Sequence, residues 1–417
     1  MTAHGSSPGH GHGHSHGNAA DAPAAPAGSG RLLALLLVPA ALAALIAMVV
    51  LWPGEQRSTN TQGLDQDLAR GTVTAIHPGD CGPGPTACPQ ADVRITGGPG
   101  EGQTVSVPAP AGIGAPTLAG GDKIVMVYGP DAPPGSQYQV IDFQRGSPLL
   151  LLALLFVAVV IIAGRWQGLA ALGGLIVSFA VLVLFVLPAI LNGSSPLLVA
   201  VAGSAVIMFA VLYLTHGVNV WTSVAVLGTL GALLLTGVLG LVFTNAAHFT
   251  GLASENAGMI SASYPDVDVR GLLLAGIIIG SLGVLDDVTV TQAVTVAELH
   301  RADPAMPRTA LFAAANRVGR AHIASTVNTL VLAYAGASLP LLLLFTAGGR
   351  STADLLTSEV VATEVVRTAV GSIGILAAVP LTTWLAVAVL PSPAASAGSR
   401  SRGRRRKFRT TAWSRRG

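Results

Sequence analysis

Leu32 to Trp52 is an apolar run of about 20 residues, the length of helix that crosses a bilayer core. In hydrocarbon every backbone N–H and C=O must be paired within the protein, so a run of this kind reads as a helix. Comparable runs lie near 148–164, 168–191, 196–215, 218–243, 271–292, 321–346 and 368–390. Together they predict about eight transmembrane helices. Composition agrees: 51% of residues are hydrophobic and only 10% charged, against about 25% charged in a soluble domain. The chain reads as an α-helical polytopic membrane protein.

Residues 53–146 break this pattern. GTVTAIHP, ADVRITGG, GQTVSVPAP, DKIVMVYG and QYQVIDFQ alternate apolar and polar positions between Gly/Pro turns, and each reads as a strand. Five short strands predict a small extracytoplasmic β-rich domain, a barrel or sandwich, with an OB-like barrel as one form. It lacks the aromatic and basic platform of a single-strand nucleic-acid binder, so no nucleic-acid partner is expected. Cys81 and Cys88 bracket GPGPTA in this external domain, where oxidation is permitted, and a disulfide is expected.

The flanks are polar. Residues 1–30 form a Gly/Ser/Ala/Pro/His tail, read as disordered. Its alternating His10, His12, His14 and His16 are candidate, weak metal ligands, but they lack the partners of a closed site. Residues 31–52 read as a retained anchor, 147–391 as a seven-helix membrane domain and 392–417 as a basic tail. Nine of the 23 basic residues lie between Arg400 and Arg416. Beside a membrane such a cluster fixes topology and touches anionic lipid. Arg165, Arg301, Arg308, Arg317 and Arg320 fall on one side of the predicted spans. The positive-inside rule therefore predicts both termini in the cytoplasm.

Within 271–292 two adjacent carboxylates, Asp286 and Asp287, interrupt the apolar run. A charge at a helix centre costs roughly 2.5–3.5 kcal/mol on insertion scales, so such groups usually face a protein interior or a wet cavity. At about 100° per residue, Asp287, Thr291, Thr295 and Glu298 form one stripe, and Asp286 points to the adjoining side. Burial and a neighbouring like charge both favour the neutral form of a carboxyl, which makes the pair a candidate proton carrier. A clamp to Arg317 or Arg320 is the structural alternative. Asn316 and Arg320 share a face, and Asn328 is a polar residue at bilayer depth that needs a hydrogen bond. These residues are expected to complete a polar lining.

The sequence also resembles the YibE/F family of bacterial membrane proteins. The resemblance rests on GQTVSVPAP, GDKIVMVYG, DFQRGSPLL, HGVNVWTSVAVLGTLGA, FTGLASENAGMI, GSLGVLDDVTVTQAVTVAEL and STVNTLVLAYAGASLPLLL, in that order over about 65–391. It implies a multi-pass plasma-membrane protein with an external β domain and a permease role. The acid of the family's block corresponds to Asp287, while Asp286 and the Thr-rich continuation depart from it. No GxxxxGK[ST], HExxH or GxSxG occurs, so ATP-driven pumping and the familiar hydrolase chemistries are not expected. The expected function is a non-enzymatic permease or secondary transporter of a small solute or ion, without a cofactor. The alternative is a membrane scaffold or sensor whose β domain binds an envelope partner.

Overall fold

The computed structural model describes residues 29–54, 67–79, 88–110, 115–133, 135–348 and 351–390. The His-rich tract, Cys81 and the basic tail lie outside them, and of Cys88 only the backbone is described.

The first helix, α1, runs Ser29–Val50. Five strands follow: β1 Asp67–Gly79, β2 Cys88–Gly97, β3 Thr104–Pro108, β4 Lys123–Tyr128 and β5 Tyr138–Phe143. All pairings are antiparallel, in the order β3-β2-β1-β4-β5. Ala69, Val73, Ala91, Val93, Ile95, Ile124 and Met126 are buried, as a period of two requires when one face is covered. Register shifts at Arg70/Gly71 and Val73/Ala75 bend β1. Gly71 sits at the first shift, where a Cβ would strike Val93. The edges β3 and β5 approach each other, so the sheet curls. The five strands coincide with the five expected segments, and β1 begins a few residues earlier, where Asp67–Arg70 pairs with β4.

The remaining elements among the described residues are helices. α2 spans Gly146–Val181, continues through a π-helical turn at Leu182–Val186 and ends in α3, Leu187–Leu191. α4 is Pro196–His216 and α5 is Val220–Ala246, capped by the Asn219 side chain, which accepts from Thr222 N at 2.9 Å. α6 is Glu255–Ser263, α7 Val269–Ala302, α8 Arg308–Ala337, α9 Leu339–Ala347, α10 Thr352–Thr357 and α11 Glu359–Ala388.

Among the described residues, six helical segments are long and apolar enough to cross a membrane: Gly30–Val50, Gly146–Leu191, Pro196–His216, Val220–Ala246, Val269–Ala302 and Glu359–Ala388. The eight predicted runs map onto them with two differences. The runs 148–164 and 168–191 share one helical stretch that breaks at Arg165 (φ 50°, ψ −126°). A Cβ on Gly168 would strike the Val160 carbonyl, a close approach that an unbroken helix excludes, because eight residues rise about 12 Å. The run 321–346 falls on α8 and α9, and polar residues take α8 below the hydropathy of a membrane span.

The chain divides into two compact units, 58–168 and the remainder. In the larger unit α7 packs against α4, α5, α8 and α11, and α5 packs against α11. Small residues permit this contact. A Cβ on Gly228 would meet the Thr382 hydroxyl, and one on Gly374 the Thr236 hydroxyl.

Candidate functional site

The α5, α7 and α11 interface buries hydroxyls and amides among aliphatic side chains. Thr229 and Thr236 of α5, Thr289 and Gln292 of α7, and Thr382 and Thr383 of α11 are at most 2% exposed. Such groups are expensive in an apolar interior unless paired. Gln292 is well answered: its Nε2 donates to Ala315 O at 3.0 Å and to Thr383 Oγ1 at 2.6 Å, while Thr383 donates to Val379 O at 2.7 Å. Gly319 gives the amide room, since a Cβ there would lie 2.6 Å from Gln292 Oε1.

One turn earlier on α7 the pairing is incomplete. Thr229 Oγ1 and Thr289 Oγ1 are 2.7 Å apart, and Thr289 reaches Asp286 O at 3.1 Å. The Thr229 hydroxyl also lies near the Asp286 carboxyl. Asp286 Oδ1 is buried and has no partner among the described residues. Thr382 Oγ1 is likewise buried without a partner there.

Further along α11, Arg367 Nη1 donates to both carboxylate oxygens of Glu364, at 2.9 and 3.1 Å. Its guanidinium lies 5.8 Å from the centre of the Tyr334 ring. The sequence places the last span at 368–390 and these residues in the connection before it. The helix in fact starts at Glu359 and carries the pair into the bundle. The spacing of Glu364 and Arg367, three apart, was the signal available in the sequence.

The predicted acid stripe takes a different place from Asp286. Asp287 has a side chain 74% exposed and meets His322 at 3.9 Å. Thr291 is exposed, and Thr295 is half-buried and donates to Thr291 O at 2.8 Å. Glu298 pairs with Arg301 at 3.2 Å on the surface. Asn316 and Arg320 share a helix face, with Arg320 Nε 3.4 Å from Asn316 O, and Asn328 is exposed. Among the described residues no ion pair joins Arg317 or Arg320 to either acid. The reason is rotational: α7 turns Leu285, Thr289 and Gln292 to its neighbours, which leaves Asp286 at the edge of the interior and Asp287 outside. Gln292, Thr229 and Thr382, absent from the predicted lining, form the inside.

Among the described residues no group of three His, Cys, Asp or Glu is arranged to hold a metal. The predicted His10, His12, His14 and His16 ligands and the Cys81–Cys88 bridge fall outside those residues.

No curated protein and no solved structure matches this chain. The family described as YibE/F-like protein matches residues 152–392, from within α2 to just beyond α11. With that match covering more than half of the chain, and six helices among the described residues long and apolar enough to cross a bilayer, this is a membrane protein that belongs to the YibE/F-like family.

Proposed function

We propose that the chain is a permease or secondary transporter of a small solute or ion, coupled to protons through Asp286. The observation that carries this reading is the buried, unpartnered Oδ1 of Asp286 beside the Thr229–Thr289 hydroxyl pair. Each hydroxyl has one hydrogen to give. When Thr289 donates to Asp286 O, Thr229 can donate to Thr289, and a protonated Asp286 can then donate to Thr229. When Asp286 is ionised, Thr229 turns its hydrogen to the carboxylate and accepts from Thr289. The two hydroxyls can thus orient to either charge state of Asp286, which supports proton exchange there. Glu364, Arg367 and Tyr334 on one side and Gln292 and Thr383 on the other extend the polar groups along the bundle. From Arg367 to Thr383 the rise is about 24 Å.

In this reading the crossings number eight. The two parts of the Gly146–Leu191 stretch, divided at Arg165, supply two, and α8 supplies another. The strand order and the approach of β3 to β5 fit an OB-like barrel. The protein would sit in the plasma membrane with both termini cytoplasmic and its basic tail on anionic lipid. No enzymatic step or cofactor is involved.

Cells lacking the protein, complemented at matched membrane levels, test the reading by elemental and metabolite profiling. Wild type and Asp287→Asn are expected to restore the altered solute, and Asp286→Asn to fail by about a hundredfold or more in flux, the order of a lost proton-transfer step. Full restoration by Asp286→Asn would contradict it. The scaffold or sensor reading draws on one observation, that residues 58–168 form a unit of their own. Loss of function on deleting 60–140, with a harmless Asp286→Asn, would favour it.

A further inference from the structure

α8 is a polar helix at the edge of an apolar bundle. Its buried residues Leu311, Ala315, Gly319 and Ile323 form one stripe, and the helix packs on α7 and α11. Three contacts fix its depth. Ala315 O meets Gln292, His322 meets Asp287, and the Tyr334 hydroxyl lies 3.3 Å from where a Gly280 Cβ would stand. From Gln292 to Gly280 α8 therefore runs beside a membrane-crossing helix for about 18 Å.

Its other face carries His322, Ser325, Asn328 and Thr329, all exposed. Asp287 of α7 joins them at 74% exposure. Groups of this kind are not left against hydrocarbon. A peripheral helix facing lipid should be the most apolar of a bundle, whereas α8 falls below the hydropathy of the six candidate spans. Such a face calls for a polar partner. The patch also carries both signs, with Asp287 at one edge and the exposed Arg317 guanidinium at the other. A two-fold axis sets one patch against itself, and a patch of mixed sign then meets its own complement. Ser, Thr and Asn supply the hydrogen bonds that join helices inside membranes.

We propose that the outward face of α8, together with Asp287 of α7, is the contact between two copies of this chain. The proposal does not depend on Asp286 exchanging a proton. It is tested with a photoreactive benzoylphenylalanine replacing Ser325 or Asn328 in the full chain, irradiated in native membranes. Leu234, 70% exposed on α5, is the control position. An adduct of two copies from 325 and 328, and far less from 234, is expected. Adducts with a different protein or with lipid only, no adduct from protein present in the membrane, or equal yield from 234 would overturn it. Single-molecule photobleaching of labelled wild type in bilayers gives an independent reading that needs no substitution: two steps are expected, and one step overturns the proposal.

Discussion

At the scale of single residues, hydrogen-bond partners decide what each polar group does. His77 Nε2 lies 3.1 Å from Asp92 Oδ1 across β1 and β2. That side-chain bond, helped by the Pro78 carbonyl, raises the His77 pKa above its usual 6.5. Because the folded value is raised, the pair stabilises the sheet fully below the unfolded pKa and loses its effect as pH rises through the folded one. NMR titration is expected to find His77 above 6.5 in wild type and lower in Asp92→Asn; an unchanged value would remove the pair's role. Gln292 offers a second check. Thr383→Val leaves its buried amide with a lost acceptor and should destabilise the bundle by about 1–3 kcal/mol, read as a lower unfolding temperature in detergent. Asp286 and Asp287 were legible as a charged pair inside a span. Which of the two faces the interior was not, because adjacent residues differ by about 100° and only the packing of α7 on α5 and α11 sets the rotation.

At the scale of elements, close helix approach rests on residues without side chains. Gly228 faces Thr382 and Gly374 faces Thr236. Gly228→Val is expected to force α5 and α11 apart, with an overpacking penalty of about 1–3 kcal/mol and a lower yield of folded protein. Ala replacing Gly237, whose Cβ would have ordinary contact with Ile278 at 3.7 Å, should be tolerated. The loop before α6 is held by one acid: Glu359 accepts from Thr250 N at 2.7 Å and from Gly251 N at 2.8 Å. Glu359→Ala should speed hydrogen exchange at Thr250 and Gly251 and leave α5 unaffected. The strands and most apolar runs were legible because period-two alternation and a 20-residue apolar length are local signals. The start of α11 was not, since Glu364 and Arg367 resemble a loop until Tyr334 and Glu364 enclose the guanidinium. The apolar second half of α8 carries the local signal of a span, and its polar first half, alongside α7, takes its hydropathy down.

At the scale of the whole molecule, a curled five-stranded sheet and a helical membrane unit belong to one chain of the YibE/F-like family. The membrane unit is organised around α7, whose inner face carries the acid, hydroxyl and amide groups in sequence. The proposed coupling requires Asp286 to gain and lose a proton within that bundle. Infrared difference spectroscopy on protein reconstituted in bilayers, recorded across a pH titration, reads this directly through the C=O stretch of a protonated carboxyl. A pH-dependent carboxyl band that is absent in Asp286→Asn and retained in Asp287→Asn is expected. A band that survives in Asp286→Asn, or that vanishes only in Asp287→Asn, would contradict it.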